Sequence, residues 1–197
     1  DLFNMFLEFG MIDYDIPASW LWDMTDEYVY QFETWCQYRS KLNSKTLEEA
    51  EYLRENDQIW NVQTVLSYLH ALVNQSNIIP WLLQDGRPSG SNDPDKADFD
   101  IITRPSYRYI GYFSIIGLLR VNTMLGDYRL ALMVLQPLNF DVTSALFTHV
   151  TACHTSVYYY MGFCYIMLRR YEDAVRVFSS TVNHISRIKH HHTRSYQ

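Results

Sequence analysis

The chain has 197 residues, 48% of them apolar and 19% charged, which is enough hydrophobic material for a buried core and excludes a disordered tail. With 16 Lys and Arg against 22 Asp and Glu the net charge is −6, so bulk attraction to nucleic acid is excluded for the chain as a whole. The charge is nonetheless divided: residues 1–100 carry 18 acidic and 6 basic side chains and residues 101–197 carry 4 acidic and 10 basic, a polarity that suits two partners of opposite sign.

Strand signals are poor throughout, and apolar residues recur three and four positions apart, so the chain is expected to be all-α. Ser19 is expected to cap a first helix carrying Leu21, Trp22, Tyr28, Phe32, Trp35 and Tyr38, ending near Leu42 where Asn43 and Ser44 break the pattern. Thr46 and Glu49 have capping-box spacing and open the next helix. A third runs from Ile59 to about Ser76 with Val62, Val65, Leu66, Leu69, Leu72 and Val73 on its buried side. The stretch from Asp85 to Asp98 concentrates Gly, Pro, Ser, Asn and Asp and marks a boundary, giving an N-terminal helical region 1–84, a flexible polar linker 85–104 and a repeat region 105–197. After it, helices are predicted over Tyr107–Met124, Asp127 to about Gln136, roughly Ser144–Leu168, and Tyr171 to about Lys189.

The last four segments contain an internal repeat. Displaced by 43 residues, Met124 falls on Met167, Leu125 on Leu168, Tyr128 on Tyr171, Ala131 on Ala174, Val134 on Val177 and Leu135 on Phe178. Tyr158, Met161, Gly162 and Tyr165, followed by Tyr171, Ala174 and Phe178, have the spacing of a tetratricopeptide-type hairpin, in which a small residue admits a large one from the neighbouring helix. The first copy departs, with Leu119 at the small position and Asn122 where an aromatic belongs, and the displacement exceeds the usual ~34 residues. The expected fold is an irregular tetratricopeptide-like solenoid of helical hairpins.

Chemistry is hard to find in this sequence. It lacks a nucleophile elbow, a phosphate-binding Gly-rich loop and the common zinc spacings, so no catalytic, cofactor or metal residue is assigned. His149, Cys153 and His154 lie close enough to share a helix but are too few for a metal site and read as core. Asp23, Asp26 and Glu27 read as a solvated edge with Arg39 or Lys41 as partners. His190–His192 reads as a surface patch. Arg169, Arg170, Arg176, Arg187, Lys189 and Arg194 make RNA contact conceivable, but Glu172 and Asp173 interrupt them, and a solvated face is the simpler reading. Cys36, Cys153 and Cys164, odd in number and far apart, speak against a disulfide framework and for a reducing, cytoplasmic setting. The uncharged run from Val142 to Leu168 is long enough to span a bilayer yet too rich in Thr, Ser and His, so no membrane partner is expected. An Asp first residue, with no initiator Met, suggests a piece of a longer protein.

The motifs "WLWDMTDEYVYQF" (20–32), "IWNVQTVLSYLHALV" (59–73), "GYFSIIGLLR" (111–120), "LGDY" (125–128) and "YYYMGFCYIMLRRYEDAVRVF" (158–178) together resemble the subunit L family of eukaryotic translation initiation factor 3, in collinear order over nearly the whole chain. The linker 85–98 departs from the pattern. The resemblance implies the helical repeats of a PCI-type subunit, without its winged helix. It also implies a non-catalytic role in a multisubunit factor on the small ribosomal subunit, with subunits such as K and E as partners and no small-molecule substrate. The alternatives are a PCI subunit of the proteasome lid or signalosome, a tetratricopeptide adaptor for acidic peptides, and, more remotely, an all-α hydrolase using His149 and Cys153.

Overall fold

The computed structural model describes residues 2–8, 15–83, 104–138, 140 and 150–195, with the backbone alone described for 187–195 and for Leu2 and Glu8. Every regular element among the described residues is helical: α1 (Leu2–Glu8), α2 (Ala18–Ser40), a 3₁₀ turn (Leu42–Ser44), α3 (Leu47–Glu55), α4 (Val62–Gln75), α5 (Ile78–Leu83), α6 (Pro105–Met124), α7 (Tyr128–Met133), α8 (Thr151–Met167) and α9 (Tyr171–Ser195). The proposed linker 85–104 falls, but for Arg104, outside the described residues. The chain divides into two compact units, residues 1–118 and 119–197.

Helix boundaries follow local chemistry, with several differences from the sequence reading. Helix α2 is entered from Pro17, whose carbonyl accepts from the Trp20 and Leu21 amides at 3.0 and 3.2 Å, so Ser19 lies inside the first turn and caps nothing. A residue that lacks an N–H loses little just before a helix. The capping box is as expected: the Glu49 amide donates to Thr46 Oγ1 at 3.2 Å and the Thr46 amide to Glu49 Oε2 at 3.0 Å. Helix α4 starts three residues later than Ile59, because Trp60 takes a left-handed φ of 52° and Asn61 accepts the Gln63 amide at 2.8 Å as N-cap. Helix α7 stops at Met133, short of Gln136. The residue before Pro137 is steered away from helical geometry, and the chain tightens into i to i+3 bonds from Leu135 to Leu132 and Gln136 to Met133. Helix α9 runs past Lys189 because "HHHTRS" contains neither Gly nor Pro to end it. Of the helix expected from Ser144, the part before Val150 lies outside the described residues, and α8 begins at Thr151. Helices α1 and α5 were not anticipated.

In the first unit the core gathers Leu21, Val29 and Phe32 of α2 with Val65, Leu69 and Leu72 of α4 and Phe113 and Ile116 of α6, all buried. Edge-on aromatic pairs tie the elements, among them Trp22 with Phe113 at 5.4 Å, Phe6 with Tyr107 at 5.3 Å and Phe3 with Tyr28 at 4.9 Å. Gly111 of α6 lies directly against the buried Ser76 at the end of α4, an approach that leaves no room for a Cβ. Helix α6 buries nearly every residue from Tyr107 to Val121, Arg120 included; its Ser114 and Thr123 hydroxyls donate to carbonyls four residues back, both at 2.7 Å.

The second unit consists of the end of α6 with α7, and the hairpin α8–α9. The 43-residue repeat is reproduced in the backbone. At the first turn the Asp127 amide donates to the Asn122 carbonyl at 3.0 Å and the Gly126 amide to Thr123 at 3.1 Å. At the second, Arg170 donates to Tyr165 at 2.8 Å and Arg169 to Ile166 at 2.9 Å. Each bond of one copy is the bond of the other displaced by 43 residues, and both form the Schellman closure of a helix end. Gly126 and Arg169 occupy the same left-handed position, at φ 84° and 60°.

Candidate interaction surface

The hairpin α8–α9 is held by interlocking side chains of unequal size. Gly162, buried on α8, faces the Phe178 ring of α9 so closely that a Cβ on Gly162 would meet ring carbons at 2.6–2.9 Å. Ala174 and Thr181 complete the buried face of α9, and the Thr181 hydroxyl donates to the Val177 carbonyl at 2.9 Å. Next to them the His154 ring stacks on His184 with centroids 3.8 Å apart and on Tyr158 at 4.6 Å. Burial of His154, reinforced by its histidine neighbour, lowers its pKa from 6.5 to about 4, so it is neutral at physiological pH.

These geometries decide several expectations. Cys153 is fully buried, as a core residue would be, and His154 faces another histidine across the hairpin; His149 lies outside the described residues. Cys164 packs with its Sγ 3.2 Å from Thr123 Oγ1, and burial raises its thiol pKa, opposed by that hydroxyl. Burial likewise raises Cys36, which is exposed on α2. For Cys36 and Cys164 that direction is the opposite of activation as a nucleophile. No three metal-ligating side chains gather among the described residues. In the acidic edge of α2, Glu27 accepts from Gln31 one turn on. Arg39, roughly 18 Å further along the helix, donates to the Asp57 carbonyl at 3.3 Å, so the expected partnership with the edge gives way to simple reach. The side chains of His190–His192, Arg187, Lys189 and Arg194 lie outside the described residues.

What the second unit does present is surface. On α9, Tyr171, Val175, Val182 and Ile185 are 60, 66, 61 and 45% exposed. Spaced four, seven and three residues apart, they line one side of the helix over roughly 21 Å, beside the face that packs on α8. A second feature lies between α7 and the second turn, where Arg129, Leu132, Met133, Gln136, Tyr165, Leu168 and Arg170 line a groove of about 470 Å³. Arg170 lies over the Tyr165 ring, 4.7 Å from its centroid, and contacts Asp173 at 2.7 Å; Arg176 reaches the same carboxylate at 3.3 Å. Sequence reasoning singled out Arg170 and Tyr165 but missed Arg129, Leu132 and Met133, because only the early end of α7 opens that space. Arg169, by contrast, was within reach of the sequence, since the 43-residue displacement sets it on Gly126.

The whole chain, residues 1–197, matches the family model described as RNA polymerase I-associated factor PAF67. It belongs to that family. Among curated relatives of this PAF67-family chain, proteins named eukaryotic translation initiation factor 3 subunit L from Mycosarcoma maydis and Nematostella vectensis are each 42% identical over its full length. The protein of that name from Homo sapiens is 42% identical over 96% of it. The chain spans 29, 37 and 33% of these relatives, about a third of their length. The sequence resemblance to the subunit L family is therefore confirmed, as is the all-helical fold. No described helix is long and apolar enough to cross a membrane.

Proposed function

We propose that this chain is a helical-repeat portion of a non-catalytic, cytoplasmic scaffold subunit of eukaryotic translation initiation factor 3. Its exposed helix faces hold neighbouring subunits such as K and E and support preinitiation assembly on the small ribosomal subunit. The single observation that carries a scaffolding role is the apolar stripe of α9. Four large apolar side chains stay in water on a helix whose adjacent face is already packed, and a patch of this kind marks a protein contact. The shared name of the relatives points the contact toward the initiation factor, whereas the family description names RNA polymerase I.

Affinity capture of the tagged chain from eukaryotic extract, quantified by mass spectrometry, separates these readings. Initiation factor 3 subunits and small-subunit ribosomal proteins are expected, with recovery reduced at least about tenfold by the double change Val175→Asp and Val182→Asp, since two buried charges remove more than 1.4 kcal/mol. Recovery of RNA polymerase I or proteasome lid components in their place overturns the assignment.

A further inference from the structure

The groove between α7 and the second turn has a chemistry distinct from the α9 stripe. Its lining combines apolar Leu132, Met133 and Leu168 with the Gln136 amide, the Tyr165 ring and two guanidiniums and includes no carboxylate, and its volume falls in the roughly 300–1,000 Å³ range of binding clefts. Met133 is 57% exposed there, a flexible thioether of the kind that moulds to apolar partners. Arg170 and Arg176 share the one carboxylate of Asp173, while Arg129, on exposed α7, makes no ion pair among the described residues. Positive charge is in excess beside these apolar side chains.

We propose that this groove docks an acidic segment of a partner protein in which a large apolar side chain is flanked by carboxylates. The apolar residue fills the space between Leu132, Met133 and Leu168, and the carboxylates pair with Arg129 and Arg170. The assignment deepens the scaffold reading by naming the partner chemistry of one site. Peptide is favoured over RNA because phosphate tracking uses a row of cations, whereas here Glu172 and Asp173 stand beside Arg169 and Arg170, and the two groove arginines share their lining with Leu132, Met133 and Leu168.

The test is a fluorescence-anisotropy titration of the 197-residue chain with three labelled probes: the peptide Glu-Asp-Leu-Phe-Asp-Glu, its amide counterpart Gln-Asn-Leu-Phe-Asn-Gln, and a twelve-residue oligouridylate. The acidic peptide is expected to bind with Kd on the order of 10–100 μM, and the amide peptide at least about tenfold more weakly, through loss of charge-assisted bonds to guanidinium. Arg129→Glu, and separately Met133→Asp, weaken the acidic peptide about tenfold or more. Arg54→Glu, the same charge change on exposed α3, leaves it unaltered. Unchanged thermal midpoints show that these surface variants stay folded. Equal affinity for the two peptides, equal effects of Arg129→Glu and Arg54→Glu, tighter binding of the oligouridylate, or no binding of the acidic peptide up to about 1 mM each overturns the proposal. None of these outcomes touches the α9 stripe, whose capture experiment stands or falls separately.

Discussion

At one hairpin turn the chain passes through Gly126 and at the other, 43 residues on, through Arg169, and the two backbones make the same bonds. The packing beside the turns is divided differently. The first copy has Leu119 and Leu135, both buried, where the second has Gly162 and Phe178. Two medium side chains in one copy stand where a minimal and a large one stand in the other. The "departure" of Leu119 from the small-residue pattern thus comes with a smaller Leu135 where the second copy has Phe178.

The sharpest way to break this comparison is to impose the second copy's solution on the first. Leu119→Gly should cost about 3–5 kcal/mol, from cavity and helix entropy together, in chemical denaturation. Adding Leu135→Phe should recover part of that loss, although Leu135→Phe alone costs about 1–3 kcal/mol. Strictly additive costs would show that the two positions do not share a volume. In the second copy, Gly162→Leu drives a side chain into the Phe178 ring and should cost about 1–3 kcal/mol; a melting midpoint equal to the parent's would contradict the geometry.

Protonation distinguishes the copies too, since His154 of the second stands where the first has Gly111. The folded chain holds His154 near pKa 4 against 6.5 in an unfolded chain, so its neutral form contributes stability that is present in full above pH 6.5. As pH falls from 6.5 toward 4 the unfolded state binds the proton first, and stability drops by on the order of 1–3 kcal/mol. His154→Phe should flatten that part of the pH profile relative to the parent. The smallest effects concern the turns. Gly126→Ala should lose about 1 kcal/mol, and Arg169→Gly should gain about 1 kcal/mol, because only the second turn carries the left-handed penalty of a side chain. Thermal midpoints that move in the same direction for both would contradict the equivalence.

Elements with strong local codes were legible without coordinates: the Thr46 and Glu49 capping box, the α4 face, and the paired Tyr128 and Tyr171 starts. The misread boundaries were those where a neighbouring residue intervenes, as Pro137 does for α7 and Trp60 for α4. The candidate surface was less legible. Tyr171 and Val175 have the same periodic spacing as core residues, and nothing in the order of side chains says which stripe of α9 meets α8 and which meets water.

By itself the sequence determined that the chain is helical, that a hairpin repeats after 43 residues and that Gly162 receives a large partner, because turn chemistry and apolar period act between residues a few positions apart. Tertiary structure decided that Phe178 is that partner, that His154 finds His184, and that Arg129 and Arg170 come to line one groove. Those outcomes depend on how helices pack across the hairpin and how soon α7 ends, distances that no local spacing encodes.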